Sequence, residues 1–228
     1  PTKGTQSKTS TKTEYIPIEL QPSLFSNDYS SETPLNKIAI VPNQEIDDFA
    51  LNGLVLENDN SGVIYHSIGV NGAKASDYNK FSLFNEQLPA LNPDLVIISL
   101  GTNESFDKQS GEKYFTQLDV MIQAIKEKNP QACILVMTSP PSVLHRKYKN
   151  TFIEKYAEII EDNAHVKNYA VWNLLDVFGG NKSIKRNAAK GYMARDKVHY
   201  SKAGYEKQGE LFFEAFLQSY ELFKSTKQ

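Results

Sequence analysis

Asp196-Lys197-Val198-His199 stands directly before a helical stretch, and a carboxylate three residues ahead of an imidazole suits acid–base work. The carboxylate can bind one ring nitrogen and fix the tautomer, so that the other nitrogen faces a nucleophile or a water. Alone, the pattern also fits a solvated surface turn. Asn103 adds a second element, lying in Gly101-Thr102-Asn103-Glu104 just after an apolar run over residues 94–100. A side-chain amide behind a buried strand and a tight glycine can donate to a developing oxyanion. Gly69-Val70-Asn71-Gly72-Ala73 adds a third, because a residue without Cβ lets a backbone N–H approach the same point. Gly72 is the candidate donor and Gly69 its fallback if the turn is registered differently; singly, Asn103 and Gly72 also read as ordinary turn residues.

Three such loops need a scaffold that gathers them. From residue 63 the chain alternates strand, loop and helix. Residues 63–68 read as a strand ending in the Gly69–Ala73 turn, and residues 94–100 (DLVIISL) as a strand buried on both faces of a parallel sheet. Residues 112–128 place Phe115, Leu118, Ile122 and Ile125 on one helical face. Residues 132–138 form a further buried strand stopped by Pro140-Pro141, with Cys133 inside it as a small hydrophobe. Residues 151–164 repeat the helical period with Ile153, Tyr156, Ala157 and Ile160, followed by a short strand over 169–173. Ser201 is a plausible N-cap for a last helix burying Leu211, Phe212, Ala215 and Leu222. This alternation specifies an α/β fold with a doubly wound parallel sheet and right-handed crossovers, whose functional groups gather at the carboxyl ends of the strands.

Residues 1–62 have a different texture. Short β-prone runs at 14–20, 37–41 and 49–56 are separated by turn-rich segments without helical period, which predicts part of a β-sandwich ahead of an α/β domain over 63–228. Near-balanced charge, 25 Lys and Arg against 27 Asp and Glu, gives no field that favours nucleic acid. No stretch reaches the roughly 20 apolar residues of a membrane span, and the chain opens on Pro1, as a mature or cut form does. His66, His145 and His165 lack ligand spacing, so no metal is expected. Trp172 reads as core or pocket wall, and Arg146, Lys147, Tyr148 and Lys149 as a small basic loop, solvated or lining a cleft.

Taken together and in this order, the three loops resemble the SGNH/GDSL hydrolases. Residues 66–73 are similar to the family's second block, whose glycine donates a backbone N–H; Gly101-Thr102-Asn103-Glu104 to the third, with its oxyanion asparagine; and Asp196 to His199 to the fifth, which supplies the triad aspartate and histidine. The run Thr138-Ser139-Pro140-Pro141, the segment Val171-Trp172-Asn173 and the turn over 179–183 resemble two-domain bacterial members related to peptidoglycan O-acetylesterases, in which a β-sandwich is inserted between the serine and glycine blocks. Residues 1–62 are similar in position to the end of such an insertion.

The resemblance implies a three-layer, flavodoxin-like fold and a serine ester hydrolase acting on an acylated carbohydrate, without a cofactor. His199 would be base then acid, Asp196 its orienting partner, and Asn103 and Gly72 the oxyanion donors. It also implies an envelope, periplasmic or secreted location. The family's first block, Gly-Asp-Ser, has no counterpart: the chain contains no Asp-Ser dipeptide, and Ser67 sits inside the second-block strand. The nucleophile is therefore expected on an associated N-terminal piece. The alternative is a non-catalytic carbohydrate-binding or cell-envelope protein on the same scaffold.

Overall fold

The computed structural model describes residues 16–18, 20, 26–41, 51 and 53–226. The chain divides into two compact units, Pro1–Gly62 and Val63–Gln228. In the first, no strand or helix forms among the described residues. Residues 37–41 are exposed and pair with no described residue, which corrects their reading as a strand: β-prone residues make one only with a ladder partner. The runs 14–20 and 49–56 lie partly outside the described residues.

The second unit is built on a parallel sheet of three strands, β1 (Leu95–Ile98), β2 (Cys133–Met137) and β5 (Ala170–Trp172), in the order β1-β2-β5. Register runs from Leu95 opposite Cys133 to Ile98 opposite Val136, and from Leu135 opposite Ala170 to Met137 opposite Trp172. Short β3 (Val143–Leu144) and β4 (Tyr148–Lys149) make an antiparallel hairpin. Residues 63–68, expected as a strand, have no ladder among the described residues, and Val63 is 96% exposed. The edge of β1 facing away from β2 is likewise unpaired among the described residues.

Helices cover both faces, because strand residues alternate sides. On one face α1 (Ala75–Lys80), α4 (Gly111–Lys128) and α5 (Thr151–Lys167) bury Tyr114, Leu118, Ile122, Ile125, Tyr156 and Ile160 against Ile98, Ile134 and Val136. The 3.6-residue period in the sequence places these side chains on single stripes, and Tyr114 stacks on Tyr156 at 4.3 Å. Ser110 caps α4 by accepting from Lys113 N at 3.2 Å. On the other face Leu135, Met137 and Trp172 meet α7 (Ile184–Ala189) and α8 (Lys202–Thr226).

Two expectations need correction here. Cys133 is exposed, because it opens β2 on the α8 side, where the cluster of Leu135 and Met137 does not reach it. On α8, Leu211, Phe212 and Ala215 are only half-buried and Leu222 is exposed; the 25-residue helix, about 37 Å long at 1.5 Å per residue, outruns the sheet face that could cover it. The remaining α-helices of the unit are short, α2 (Ser82–Gln87), α3 (Thr102–Phe106) and α6 (Leu174–Val177), alongside 3-10 turns at Leu88–Leu91 and Asn181–Ser183.

Candidate active site

Asp196 and His199 share a tight loop before α8. Lys197 N donates to Ala194 O at 3.0 Å and Ala194 N to His199 O at 2.9 Å, and Lys197 adopts a left-handed φ of 56°. Inside this loop the carboxylate is fully oriented. Asp196 Oδ1 accepts from Val198 N at 2.9 Å and His199 N at 3.0 Å, and Oδ2 meets His199 Nδ1 at 2.8 Å. The imidazole hydrogen bond first, then the two backbone donors, hold the Asp196 carboxyl down at about 2. His199 is exposed, and its Nε2 makes no hydrogen bond among the described residues.

This loop is fastened to the carboxyl end of the sheet. Tyr200 donates its hydroxyl to Pro141 O at 2.7 Å, and Val143 N donates to Lys197 O at 3.1 Å, so the segment following β2 carries the Asp-His loop. Ser201 caps α8, accepting from Gly204 N at 3.1 Å. Gly204 has no room for a side chain, since a Cβ would lie 2.0 Å from Tyr192 O.

The second group leaves β1 at the same end of the sheet. Gly101 turns the chain at φ 118°, where a Cβ would meet Ser139 Oγ at 2.8 Å. Ser139 Oγ in turn donates to Leu100 O at 3.3 Å, tying the β2 exit to the β1 exit. Asn103, half-buried at the start of α3, spends one amide hydrogen on Ala73 O at 2.9 Å and keeps the other. Ala73 closes the turn that holds Gly72, through Ala73 N to Val70 O at 3.1 Å. Gly72 has φ 81° with open space around its missing Cβ, so backbone conformation selects glycine there. Gly69 has no left-handed φ. Asn103 and the Gly72 turn are thus brought into direct contact, and Asp196 and His199 into another, both at the carboxyl end of the strands.

The GDSL-like lipase/acylhydrolase family profile matches residues 50–207. The chain belongs to this family. It therefore carries a GDSL-like hydrolase domain, the domain of carboxylic ester hydrolases, on the parallel-sheet α/β fold described above. Among solved structures, it is similar to a peptidoglycan O-acetylesterase, with 26% identity and a TM-score of 0.60 over 68% of this chain and 45% of that one. The chain thus spans less than half the length of that protein. An acetyl xylan esterase (21% identity, TM-score 0.53, 65% and 78% covered) shares the fold. So does a carbohydrate esterase family 3 protein from Talaromyces cellulolyticus (17%, 0.51, 64% and 68%). No curated protein matches the chain by sequence.

Sequence reasoning passed over the residue that clasps the Gly72 and Asn103 loops of this GDSL domain. Glu104 is 1% exposed; its Oε1 accepts from Ala75 N at 2.8 Å and its Oε2 from Gly101 N at 3.0 Å. Burial pushes its carboxyl up, against these N–H donors and the Lys74 ammonium, which itself pairs with Asp107. A buried network beside it was equally silent: Asn150 Nδ2 donates to Ser105 Oγ at 2.8 Å and Ser142 Oγ at 3.0 Å. An acidic residue three positions past a glycine N-cap was the one available signal.

Glu104→Gln is expected to lower stability by about 3 kcal/mol, roughly 10 °C in Tm, because the new NH₂ must face one of the two buried N–H donors. The pH sign is also fixed. A folded-state value raised above that of the unfolded chain favours the fold when protonated. That contribution is present below the ordinary glutamate range and is lost as pH rises through the raised value. Thermal unfolding followed by circular dichroism between about pH 4 and 8 should show this slope in the native chain and not in the variant. An unchanged Tm would remove Glu104 from its role as clasp.

Proposed function

We propose that this chain supplies the histidine, aspartate and oxyanion donors of a serine ester hydrolase that deacetylates a carbohydrate. The observation that carries the reading is the 2.8 Å contact of Asp196 Oδ2 with His199 Nδ1, which leaves Nε2 free for a nucleophile. A serine hydroxyl attacks the acyl carbon and passes its proton to His199 Nε2. The negative charge on the carbonyl oxygen is met by the spare Asn103 N–H and the Gly72 N–H. Collapse expels the sugar hydroxyl, which takes the proton back from His199, and water repeats the cycle to release acetate. Oxyanion donors of this kind contribute about 3–4 kcal/mol each.

The serine comes from a segment outside these 228 residues. The open edge of β1 and the exposed apolar run at 63–68 support this, since each is a strand-forming surface that lacks a ladder among the described residues. Resemblance to a peptidoglycan O-acetylesterase supports an acetylated glycan as substrate and the envelope or exterior as the place of action. Fluorophosphonate labelling tests the assignment. The chain joined to its native upstream sequence is expected to label on a serine outside residues 1–228 and to hydrolyse p-nitrophenyl acetate. A label within this chain overturns the external serine. No label and no hydrolysis overturn the enzyme and leave a carbohydrate-binding protein on the same scaffold.

A further inference from the structure

Charge in this chain is segregated, and His199 lies in one of the cation-rich segments. Residues 143–149 and 179–201 hold nine of the 25 Lys and Arg but only one of the 27 Asp and Glu, and that one is Asp196. The two segments form one surface. Val143, Phe178, Ile184, Met193 and Tyr200 bury their side chains in a common cluster, Val143 N donates to Lys197 O at 3.1 Å, and Asn181 Nδ2 donates to Asn150 O at 2.8 Å. With the apolar undersides turned inward, the cations stand outside. Lys149 is neutralised by Glu154 at 2.8 Å. Arg146, Lys147, Arg195 and Lys197 are exposed, and none of them is paired with a carboxylate among the described residues.

The hairpin that presents Arg146 is held in an unfavourable conformation. His145 and Arg146 are successive left-handed residues, φ 50° and 62°, closed by Lys147 N donating to Leu144 O at 3.1 Å. A turn required only to reverse the chain favours Asn-Gly at these positions. Lys197, inside the Asp-His loop, is left-handed as well. Non-glycine residues in this region concentrate where a side chain has work to do.

We propose that this rim is a recognition surface for fixed negative charge on the substrate, so that the enzyme takes acetylated glycans bearing carboxylates near the ester in preference to neutral ones. The inference rests on the ester-hydrolase reading for the word substrate, and on the charge map alone for the ligand class. Arginine meets a carboxylate with two parallel N–H donors. Lysines beside it add a field that reaches about 8–10 Å at physiological ionic strength, enough to act over neighbouring sugars.

Calorimetric titration of the chain with hexagalacturonate, with xylohexaose as the neutral control, tests the ligand class without any catalysis. Hexagalacturonate is expected to bind at least about fivefold more tightly than xylohexaose, and to lose that advantage as NaCl rises from about 50 to about 300 mM. Arg146→Asn combined with Lys147→Gln removes two charges while suiting the left-handed turn, and should weaken hexagalacturonate binding about tenfold. Equal binding of the two sugars, or an unaffected variant, overturns the proposal. The hydrolase reading is separable: in the serine-bearing protein p-nitrophenyl acetate offers no charge to read, so its turnover must survive the double substitution. Absence of that turnover in the unsubstituted protein counts against the hydrolase, while the titration still decides the charged ligand.

Discussion

Asp196→Asn in the serine-bearing protein is expected to lower kcat on p-nitrophenyl acetate by about 10⁴-fold while leaving the loop folded. The magnitude follows from which end of the new amide points where. Val198 N–H and His199 N–H both aim at Oδ1, so the amide must keep its oxygen there and turn its NH₂ toward His199 Nδ1. Nδ1 must then accept a hydrogen bond, which moves the ring proton to Nε2. That tautomer cannot take a proton from a serine. His199→Ala removes the base outright and should match or exceed this loss. The same geometry makes an acid-side prediction. The Asp196 carboxyl titrates at about 2, below its unfolded value, so the loop's contribution is present above the ordinary aspartate range and is lost as pH falls toward about 2. Hydrogen exchange at Val198 and His199 should show that loss in the native chain and not in the variant. Activity retained to within about tenfold would mean that Asp196 does not orient the histidine.

The legible parts of this molecule are those where one physical requirement acts alone. α4 and α5 were readable because Leu118, Ile122, Ile125, Ile153, Tyr156 and Ile160 answer a single periodicity and all are buried, Ile153 against Leu175 of α6 and the others in the cluster that holds the sheet residues Ile98, Ile134 and Val136. β1 and β2 were readable as apolar runs. Uniform apolarity, however, says nothing of how far cover extends, and Cys133 is left in solvent at the strand's first position. The Asp196–His199 pattern alone read equally as a surface turn, and Asn103 and Gly72 as turn residues; only the joint order of the three loops and its family resemblance singled them out. Glu104 was not legible, because a charged residue after a glycine turn looks solvated until the Ala75 and Gly101 amides are brought onto it from two separate loops. Asn150, Ser105 and Ser142 escaped for the same reason: polar residues spread over 45 positions become a buried network only through tertiary contact. Residues 37–41 and 63–68 show the converse. Their composition favours strands, but a strand is a property of two segments, and neither run forms a ladder among the described residues.

Asn103→Ala should separate chemistry from binding. The amide has two hydrogens, one held by Ala73 O at 2.9 Å and one available to a developing oxyanion. Because charge on the carbonyl oxygen appears only on the way to the tetrahedral intermediate, losing the second hydrogen bond raises the barrier without weakening ground-state binding. The expected result is a kcat lower by about 10²–10³-fold on p-nitrophenyl acetate with KM little changed. Losing the first hydrogen bond has a different signature, since it loosens the Gly72 turn and is read in stability. Here Glu104 limits the damage: it holds Ala75 N and Gly101 N independently of Asn103, so the clasp between the loops survives the substitution and the Tm should fall by no more than a few degrees. Steady-state kinetics and thermal unfolding on one preparation decide between the roles. A large fall in Tm with kcat and KM both altered would make Asn103 a structural tie of the turn. A fall in kcat alone makes it a donor to the transition state.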